Sequence, residues 1–395
     1  MKKLVSLLLV MVLTFSLAAC GSSKDKKTAE NIKVGFIFIG DENEGYTAAH
    51  YNGAKEMQKA LGLKDDQLIV KWTIKEDESC YDAAVDLADQ GCSIIFANSF
   101  GHETYMIQAA KEFPDVQFCH ATGYQAASSG CSNMHNYFTN VYESRYVSGV
   151  VAGLKLNEMI ANGQITADEA LMGYVGAYPY AEVISGFTSF FLGARSVCPS
   201  ATMEVTYTNS WADFSLEQEA ANSLIADNCV LISQHADTTG APTACEAAGV
   251  PVVGYNIDMI PTAPNYALTS ASIDWAPYYT YAVQCVLDDK AIETDWCQGY
   301  AEGADKITEL NKNAIAAGTE DKVAEVEAAI KDGSLKVFDT STFTVNGSTL
   351  EDLITSDAAN YGNYAQYVSD GYFHESEKAS APAFAIIIDG ITAVE

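Results

Sequence analysis

The sequence predicts a mixed α/β protein of two doubly wound domains, each a parallel sheet with helices on both faces. Three observations carry this. Short β-rich runs alternate with helical patterns through most of the chain, which is the pattern of strands joined by crossover helices. A second round of alternation repeats the layout of the first. From about Ile32 to Glu395 the chain is too long for one typical domain and suits two. The expected result is two Rossmann-like domains with a hinge and an interdomain ligand cleft.

Residues 34–39 form the first apolar, β-branched run, followed by the loop Gly40-Asp41-Glu42-Asn43-Glu44-Gly45. Residues 46–61 read as a helix stopped by Gly62, 69–74 as a strand, and 81–89 as a helix stopped by Gly91. Residues 93–97 are a strand, 103–112 a helix and 116–121 a strand. The second round opens with a long helix at 143–161. Strands at 172–177, 203–208, 230–233 and 252–255 then alternate with helices at 181–196, 216–226 and 242–248. The repeat is visible in detail. Ile94-Ile95-Phe96-Ala97-Asn98-Ser99-Phe100-Gly101-His102 precedes a helix just as Val230-Leu231-Ile232-Ser233-Gln234-His235-Ala236-Asp237 does. A strand at 266–273 and helices at 275–287 and 321–330 follow. Asn346-Gly347 within 343–349 signals a hairpin turn.

The N-terminus carries an address. Lys2 and Lys3 precede an apolar run that ends at Leu17-Ala18-Ala19-Cys20-Gly21. A basic start, a short apolar core and a small-residue exit describe a secretory signal peptide, and the run is short for a membrane span. Leu17-Ala18-Ala19-Cys20 resembles the bacterial lipobox, in which the cysteine is acylated and becomes the mature N-terminus. Gly21-Ser22-Ser23-Lys24-Asp25-Lys26-Lys27 then reads as a polar tether.

The charge balance excludes some partners. The net charge is −30, from 22 basic and 52 acidic residues, and the acids are dispersed. Such a surface repels nucleic acid and anionic headgroups. The ten cysteines contain no CxxC spacing, so a metal knuckle is not expected. Cys92, Cys119, Cys229 and Cys285 sit in or beside apolar stretches and suit core thiols as well as disulfides.

Ligands of open parallel sheets bind beyond the carboxyl ends of the strands. The loops there hold Tyr46, Phe100, Tyr180, Trp211 and Phe214, together with Asp41, Glu182, Asp213, Asp237, Asn256 and Asp258. None of these loops contains lysine or arginine. Aromatic faces and carboxylates suit a neutral, ring-bearing or hydroxyl-rich ligand rather than a phosphate. Each residue also has a plainer role open to it. Trp211, Tyr46 and Phe100 suit packing, Asp213 a helix cap, and Glu182 compensation of a helix dipole. GxSxG, HExxH, Walker A and GxGxxG motifs are absent. The loop at 41–45 departs from a calcium loop, because its glycine comes one residue early and Asn52 stands at the closing position. No histidine lies at i+3 or i+4 from another. Catalytic residues, metals and cofactors are therefore not expected. Paired carboxylates of a hydrolase remain open, since their spacing is spatial.

Several motifs together resemble a known family. They are Phe113-Pro114-Asp115-Val116-Gln117-Phe118, Glu143-Ser144-Arg145-Tyr146-Val147-Ser148-Gly149-Val150-Val151-Ala152-Gly153 and Gly173-Tyr174-Val175-Gly176. Glu182-Val183-Ile184-Ser185-Gly186-Phe187, Asn209-Ser210-Trp211-Ala212-Asp213, Gln234-His235-Ala236-Asp237-Thr238, Gly254-Tyr255-Asn256-Ile257-Asp258-Met259 and Leu268-Thr269-Ser270-Ala271 complete the set. Their order and spacing are similar to those of the basic membrane protein (BMP, PnrA-like) family, the type I substrate-binding lipoproteins of ABC transporters. The likeness spans about 34–287.

The resemblance implies the type I periplasmic-binding-protein fold and capture of a purine nucleoside or nucleobase, the ring between aromatics and the ribose on acidic and amide side chains. It implies an ABC permease and ATPase as partners, and a monomer anchored by lipid on Cys20 at the extracytoplasmic face of a bacterial membrane. The ligand contacts expected are Tyr46, Phe100, Glu182, Trp211, Asp237, Asn256, Asp258 and Trp275. One departure stands out. Many nucleoside-binding members carry a lysine after the Leu-Thr-Ser strand, where this chain has Ser272-Ile273-Asp274-Trp275. The alternatives are a sugar receptor of the same fold and a surface nucleoside or glycoside hydrolase. The domains expected are a signal peptide at 1–19 and the lipidated cysteine with its tether at 20–31. A first domain takes 32–140 with about 263–304, and a second takes 141–262 with about 305–395. Hinges are expected near 133–142, 261–265 and before Asp305.

Overall fold

The computed structural model describes residues 27–394. The expected signal peptide, Cys20 and most of the tether lie outside them.

The first sheet is built from β1 (Val34–Ile37), β2 (Leu68–Lys71), β3 (Ile94–Ala97), β4 (Gln117–Ala121) and β5 (Met134–Thr139). Between them run α1 (Gly45–Ala60), α2 (Glu78–Asp89) and α3 (Glu103–Glu112), and α4 (Val141–Ala161) follows. The second round comprises β6 (Leu171–Gly176), α5 (Ala181–Val197), β7 (Thr202–Tyr207), α6 (Phe214–Ala226), β8 (Leu231–His235), α7 (Gly240–Ala248), β9 (Val252–Tyr255) and β10 (Ala267–Ile273). The chain then forms α8 (Ala276–Asp288), β11 (Asp295–Gln298), β12 (Asp305–Ile307) and α9 (Thr319–Lys331). Helix starts are set locally. Glu44 caps α1 by accepting from the Tyr46 and Thr47 amides, and Asp213 caps α6 through Ser215 and Leu216. Gly249 ends α7 in the left-handed region at φ +76.

The first sheet has the order β11-β5-β4-β3-β1-β2. The second has the order β12-β10-β9-β8-β6-β7, extended by β15 (Ile391–Val394). The two lobes thus share one topology. The symmetry breaks where the chain changes lobe: β11 pairs with β5 in parallel, and β12 pairs with β10 antiparallel.

Each sheet is buried on both faces. In the first lobe Phe36, Phe96, Tyr137, Tyr278 and Tyr279 fill one side, and Ile95, Leu87, Met106 and Phe118 the other. In the second lobe Val150, Met172, Phe187 and Phe190 fill one side, and Val175, Leu224, Ile232 and Ala244 the other. The helices α4 and α5 pack at unusually close range. A Cβ on Gly149 would lie 2.0 Å from the Phe190 carbonyl oxygen, and one on Gly193 would lie 2.0 Å from that of Tyr146.

The chain crosses between lobes at Asn140, at Asp274–Trp275 and in 299–304. The expected hinge at 133–142 therefore contains a crossover, near its end at Asn140, and the one at 261–265 does not. Residues 134–139 are the strand β5, whose polar side chains are bonded in the interior. The His135 ring meets Glu293 O at 3.0 Å, and Asn136 donates to Glu103 at 2.8 Å. Residues 261–265 stay within the second lobe, where Asn311 donates to Pro264 O at 2.9 Å. Because β10 lies in the second sheet, the return to the first lobe falls at Asp274 rather than near 263.

The C-terminal segment covers the second lobe. It contains α10 (Leu350–Ser356), α11 (Ala358–Tyr361) and the small antiparallel pair β13 (Val368–Ser369) and β14 (Tyr372–Phe373), and it ends in β15. Phe338 stacks on Phe384 at 4.5 Å. Asn346 and Gly347 form the expected two-residue turn, both with positive φ, but no strands flank it. The nine cysteines among the described residues are free thiols, and seven of them are buried.

The α4–α5 contact yields a prediction. Gly149→Ala should destabilise the protein by about 1–3 kcal/mol through overpacking, seen as a lower urea midpoint with an unchanged slope. An unchanged midpoint would show that the helices can separate freely.

Candidate functional site

The strand order places the site. In each sheet the winding direction reverses between the first and third strands of its round, β1 with β3 and β6 with β8. The loops leaving such strands diverge and open a crevice. The two crevices face each other. The lobes touch where the Gly45 amide donates to the Asp237 carbonyl at 3.0 Å. A side chain at position 45 would put its Cβ 2.8 Å from that oxygen, so glycine permits the approach.

The cavity between the lobes has a volume of about 410 Å³. The first lobe contributes Ile39, Gly40, Glu44, Tyr46, Asn98, Ser99, Phe100 and Thr122. The second contributes Tyr178, Glu182, Ser210, Trp211, Ala212, His235, Asp237 and Tyr255. Aromatic rings form the rim. Tyr178 stacks on Tyr180 at 5.1 Å, Trp211 meets the Tyr178 ring edge-on at 5.2 Å, and Phe100 lies 6.0 Å from Tyr180. Deeper in, the Tyr46 hydroxyl donates to Asn98 O at 2.6 Å.

The carboxyls of the cleft are desolvated. Burial pushes Glu182 up to about 7, against a downward pull from Arg145. Burial holds Asp237 well above the usual carboxylate range, and the neighbouring Glu44 and Glu217 add to this. Asp237 accepts from the Asn256 amide at 2.7 Å. Glu217 supports the same loop from behind, both its oxygens accepting from the Thr238 N–H at 3.2 Å. The His235 ring is 3.4 Å from Glu182, and burial followed by the Arg145 charge keeps it neutral. Three buried polar atoms along the lining, Thr122 Oγ1, His235 Nδ1 and Tyr255 Oη, have no partner within the protein. Thr122 also has φ +68, a costly conformation for a β-branched residue.

The structure thus brings together five of the eight expected contacts: Tyr46, Phe100, Glu182, Trp211 and Asp237. The other three lie elsewhere. Asn256 stands behind Asp237 as its donor. Asp258 is exposed and caps the Ile260 amide at 2.9 Å. Trp275 is buried in the first-lobe core, stacked on His50 at 3.9 Å. A wider groove between α1 and the edge of the second sheet does border these three. Its lysines include Lys55 and Lys306, which pair with Asp65 and Asp274. The interlobe cavity, unlike this groove, gathers the ends of both sheets. The expected contacts did not include Asn98, Ser99, Thr122, Tyr178, His235 and Tyr255, although all lie at or just past the ends of strands already identified and Ser99, Thr122, Tyr178 and His235 open strand-end loops. Nor did it single out Arg145, which lies on α4 behind the lining, against the Tyr255 ring. Phe214 and Asp213 stay outside the cavity, and Asp213 is the helix cap. Among the described residues no group of three or more His, Cys, Asp or Glu is placed to hold a metal.

The lining offers aromatic faces to a flat ring and carboxyl oxygens to its hydrogen-bond donors, and no lysine or arginine lines it. Comparison with known proteins identifies the family and the fold. A family model described as ABC transporter substrate-binding protein PnrA-like matches residues 32–337. A purine-binding protein of Brucella abortus is 36% identical over 310 residues, 78% of this chain and 83% of that protein. A Haloferax volcanii protein assigned by name as an ABC transporter glucose-binding protein is 30% identical, covering 80% of this chain and 76% of its own length. Among solved structures, an ABC transporter solute-binding protein from Conexibacter woesei superposes with a TM-score of 0.62 at 20% identity, over 77% of this chain and 98% of that one. Another from Aeropyrum pernix gives 0.63 at 16% identity, over 78% and 93%. These two show the fold, which is the one expected.

The buried acid behind the cleft yields a pH prediction. Glu217 ionises at about 7 in the fold against an ordinary 4.5. Between these values the folded state keeps a proton that the unfolded chain has lost, so this group's contribution to stability falls as pH rises. Relative to Glu217→Gln, the native protein should lose up to roughly 3 kcal/mol from about pH 4.5 to pH 8. Urea unfolding of both proteins at the two ends checks this. A difference that does not vary with pH would contradict it.

Proposed function

This chain belongs to the family of PnrA-like ABC transporter substrate-binding proteins, and on that premise we propose that its interlobe cleft captures a purine nucleobase or nucleoside. One observation carries the reading. The cavity combines the rings of Phe100 and Trp211 with the largely buried carboxyls of Glu182 and Asp237, and no cationic side chain lines it. A purine offers a flat face to the rings and N–H groups to the carboxyls. A phosphate or carboxylate would meet only acids and uncharged groups. The volume lies within the roughly 300–1,000 Å³ of small-molecule sites. The name of the Brucella relative supports the same class of ligand.

The expected lysine contact to a ribose has no counterpart in the cleft. At that place Ser272 donates to Asn256 O, and Ile273 and Trp275 are buried. A nucleoside would therefore rely on the carboxyls and on the free hydroxyls of Thr122 and Tyr255. The lobes close by bending at the three crossovers. The loaded receptor then delivers its solute to a permease driven by a cytoplasmic ATPase. Lipid on Cys20 holds it at the extracytoplasmic face.

A thermal-shift screen of the soluble domain tests the ligand class. Adenosine, guanosine, adenine and hypoxanthine should include strong stabilisers. Stabilisation by glucose or ribose with none by purines would replace this reading with the sugar receptor. Trp211→Ala should weaken the best purine by about 1–3 kcal/mol, the range of a lost base–aromatic stack, as read by calorimetry. Cys20→Ala should move the protein from the membrane fraction to the soluble fraction of the producing cell. Retention in the membrane would remove the lipid anchor from the account.

A further inference from the structure

The helix α4 carries an arginine that packing alone does not explain. Arg145 is wholly buried. Its guanidinium lies 3.7 Å from the centroid of the Tyr255 ring and 6.0 Å from that of Tyr174. Only Nη1 has a hydrogen-bond partner, the Gln234 carbonyl at 2.6 Å, and both Nε and Nη2 are buried without one. Leaving a buried cation so poorly bonded is costly unless a counter-charge is near.

The neighbourhood supplies one candidate for that counter-charge. Gly186 stands one turn after Glu182 on α5. A Cβ there would lie 2.6 Å from His235 Nδ1 and 3.6 Å from Arg145 Nε. Glycine at 186 thus opens the layer in which the guanidinium and the imidazole lie under the Glu182 turn. Six charged or titratable groups face Glu182: Arg145, Tyr174, His235, Tyr255, Tyr46 and Asp237. Arg145 is the one cation among them, since the His235 ring stays neutral.

We propose that Arg145 is the positioning residue of the cleft: it fixes the Tyr255 ring by stacking and supplies the buried positive charge that Glu182 faces. It touches no ligand. Its effect is to offer a donor-bearing ring a charged acceptor on Glu182 and a hydroxyl on Tyr255, both held in place from below. A lysine could give the charge but not the planar stack. The inference deepens the proposed solute reading, yet its electrostatic half can be tested without a ligand.

The test follows the Glu182 carboxyl by NMR in ligand-free protein labelled at glutamate side-chain carbons, with Glu182→Gln identifying the resonance. Calorimetry with adenosine and with hypoxanthine runs beside it. In Arg145→Gln the Glu182 midpoint should rise by at least about one pH unit, and purine affinity at pH 7 should fall at least about tenfold. In Arg145→Lys the midpoint should stay near the native one while affinity still falls about tenfold, because the stack on Tyr255 is lost. A midpoint unmoved in Arg145→Gln overturns the proposal, as does full affinity in Arg145→Lys. If Arg145→Gln does not fold, the Arg145→Lys pair of measurements decides alone. If the native protein binds neither purine while the midpoint still moves, the solute reading fails and the role of Arg145 stands.

Discussion

Desolvation of acids is the constraint on which the cleft depends. The chain carries a net charge of −30, yet closing the lobes brings Glu44, Glu182 and Asp237 to one cavity with Glu217 just behind. Carboxylates in a dry space cannot all stay charged without compensation. Each acid here has its own answer. Glu44 faces the amides that open α1, Asp237 takes the Asn256 amide, Glu217 takes the Thr238 N–H, and Glu182 faces Arg145. The acceptor capacity left over is turned toward the cavity. In the proposed reading, a ligand rich in N–H or O–H donors would complete these bonds. No lysine or arginine lines the cavity, so it holds no counter-charge for an anion.

The fold delivers this with one topology used twice. Both sheets reverse at equivalent strands, so two crevices face each other without special loops. The cost is met locally. Thr122 and Asn256 adopt left-handed backbone where the chain leaves its strands, and Gly45 admits the Asp237 carbonyl. Beneath the second lobe, glycines let α4 approach α5 closely, and that contact fixes both helices that reach the site, α4 through Arg145 and α5 through Glu182. The segment after residue 337, beyond the family match, adds β15 to the sheet edge and bonds the Ser380 amide to Asp295 of the first lobe.

Much of this was legible in the sequence. Apolar, β-branched runs ended by glycine marked the central strands and most helices, and the repeat between 94–102 and 230–237 marked the two lobes. The misses share a cause. In β5, His135 and Asn136 look like loop residues until their buried partners are known. β11 and β12 have four and three residues, too short for a periodic signal. Of the three crossovers, the one at Asp274 was placed too early, near 261–265. In the site, strand-end aromatics and acids pointed to Tyr46, Phe100, Glu182, Trp211 and Asp237. Asp258 and Trp275 misled because position after a strand does not fix which way a side chain turns. Arg145 did leave a trace: it is a lone cation entering an otherwise apolar helical run, and such a residue needs a buried partner.

The central claim is that the cleft selects a purine. The most direct measurement is mass spectrometry of small molecules released from protein purified from its own cells without added ligand. The account predicts a purine base or nucleoside in near-stoichiometric amount, lost from a Trp211→Ala variant. A hexose or an amino acid released in its place would contradict it.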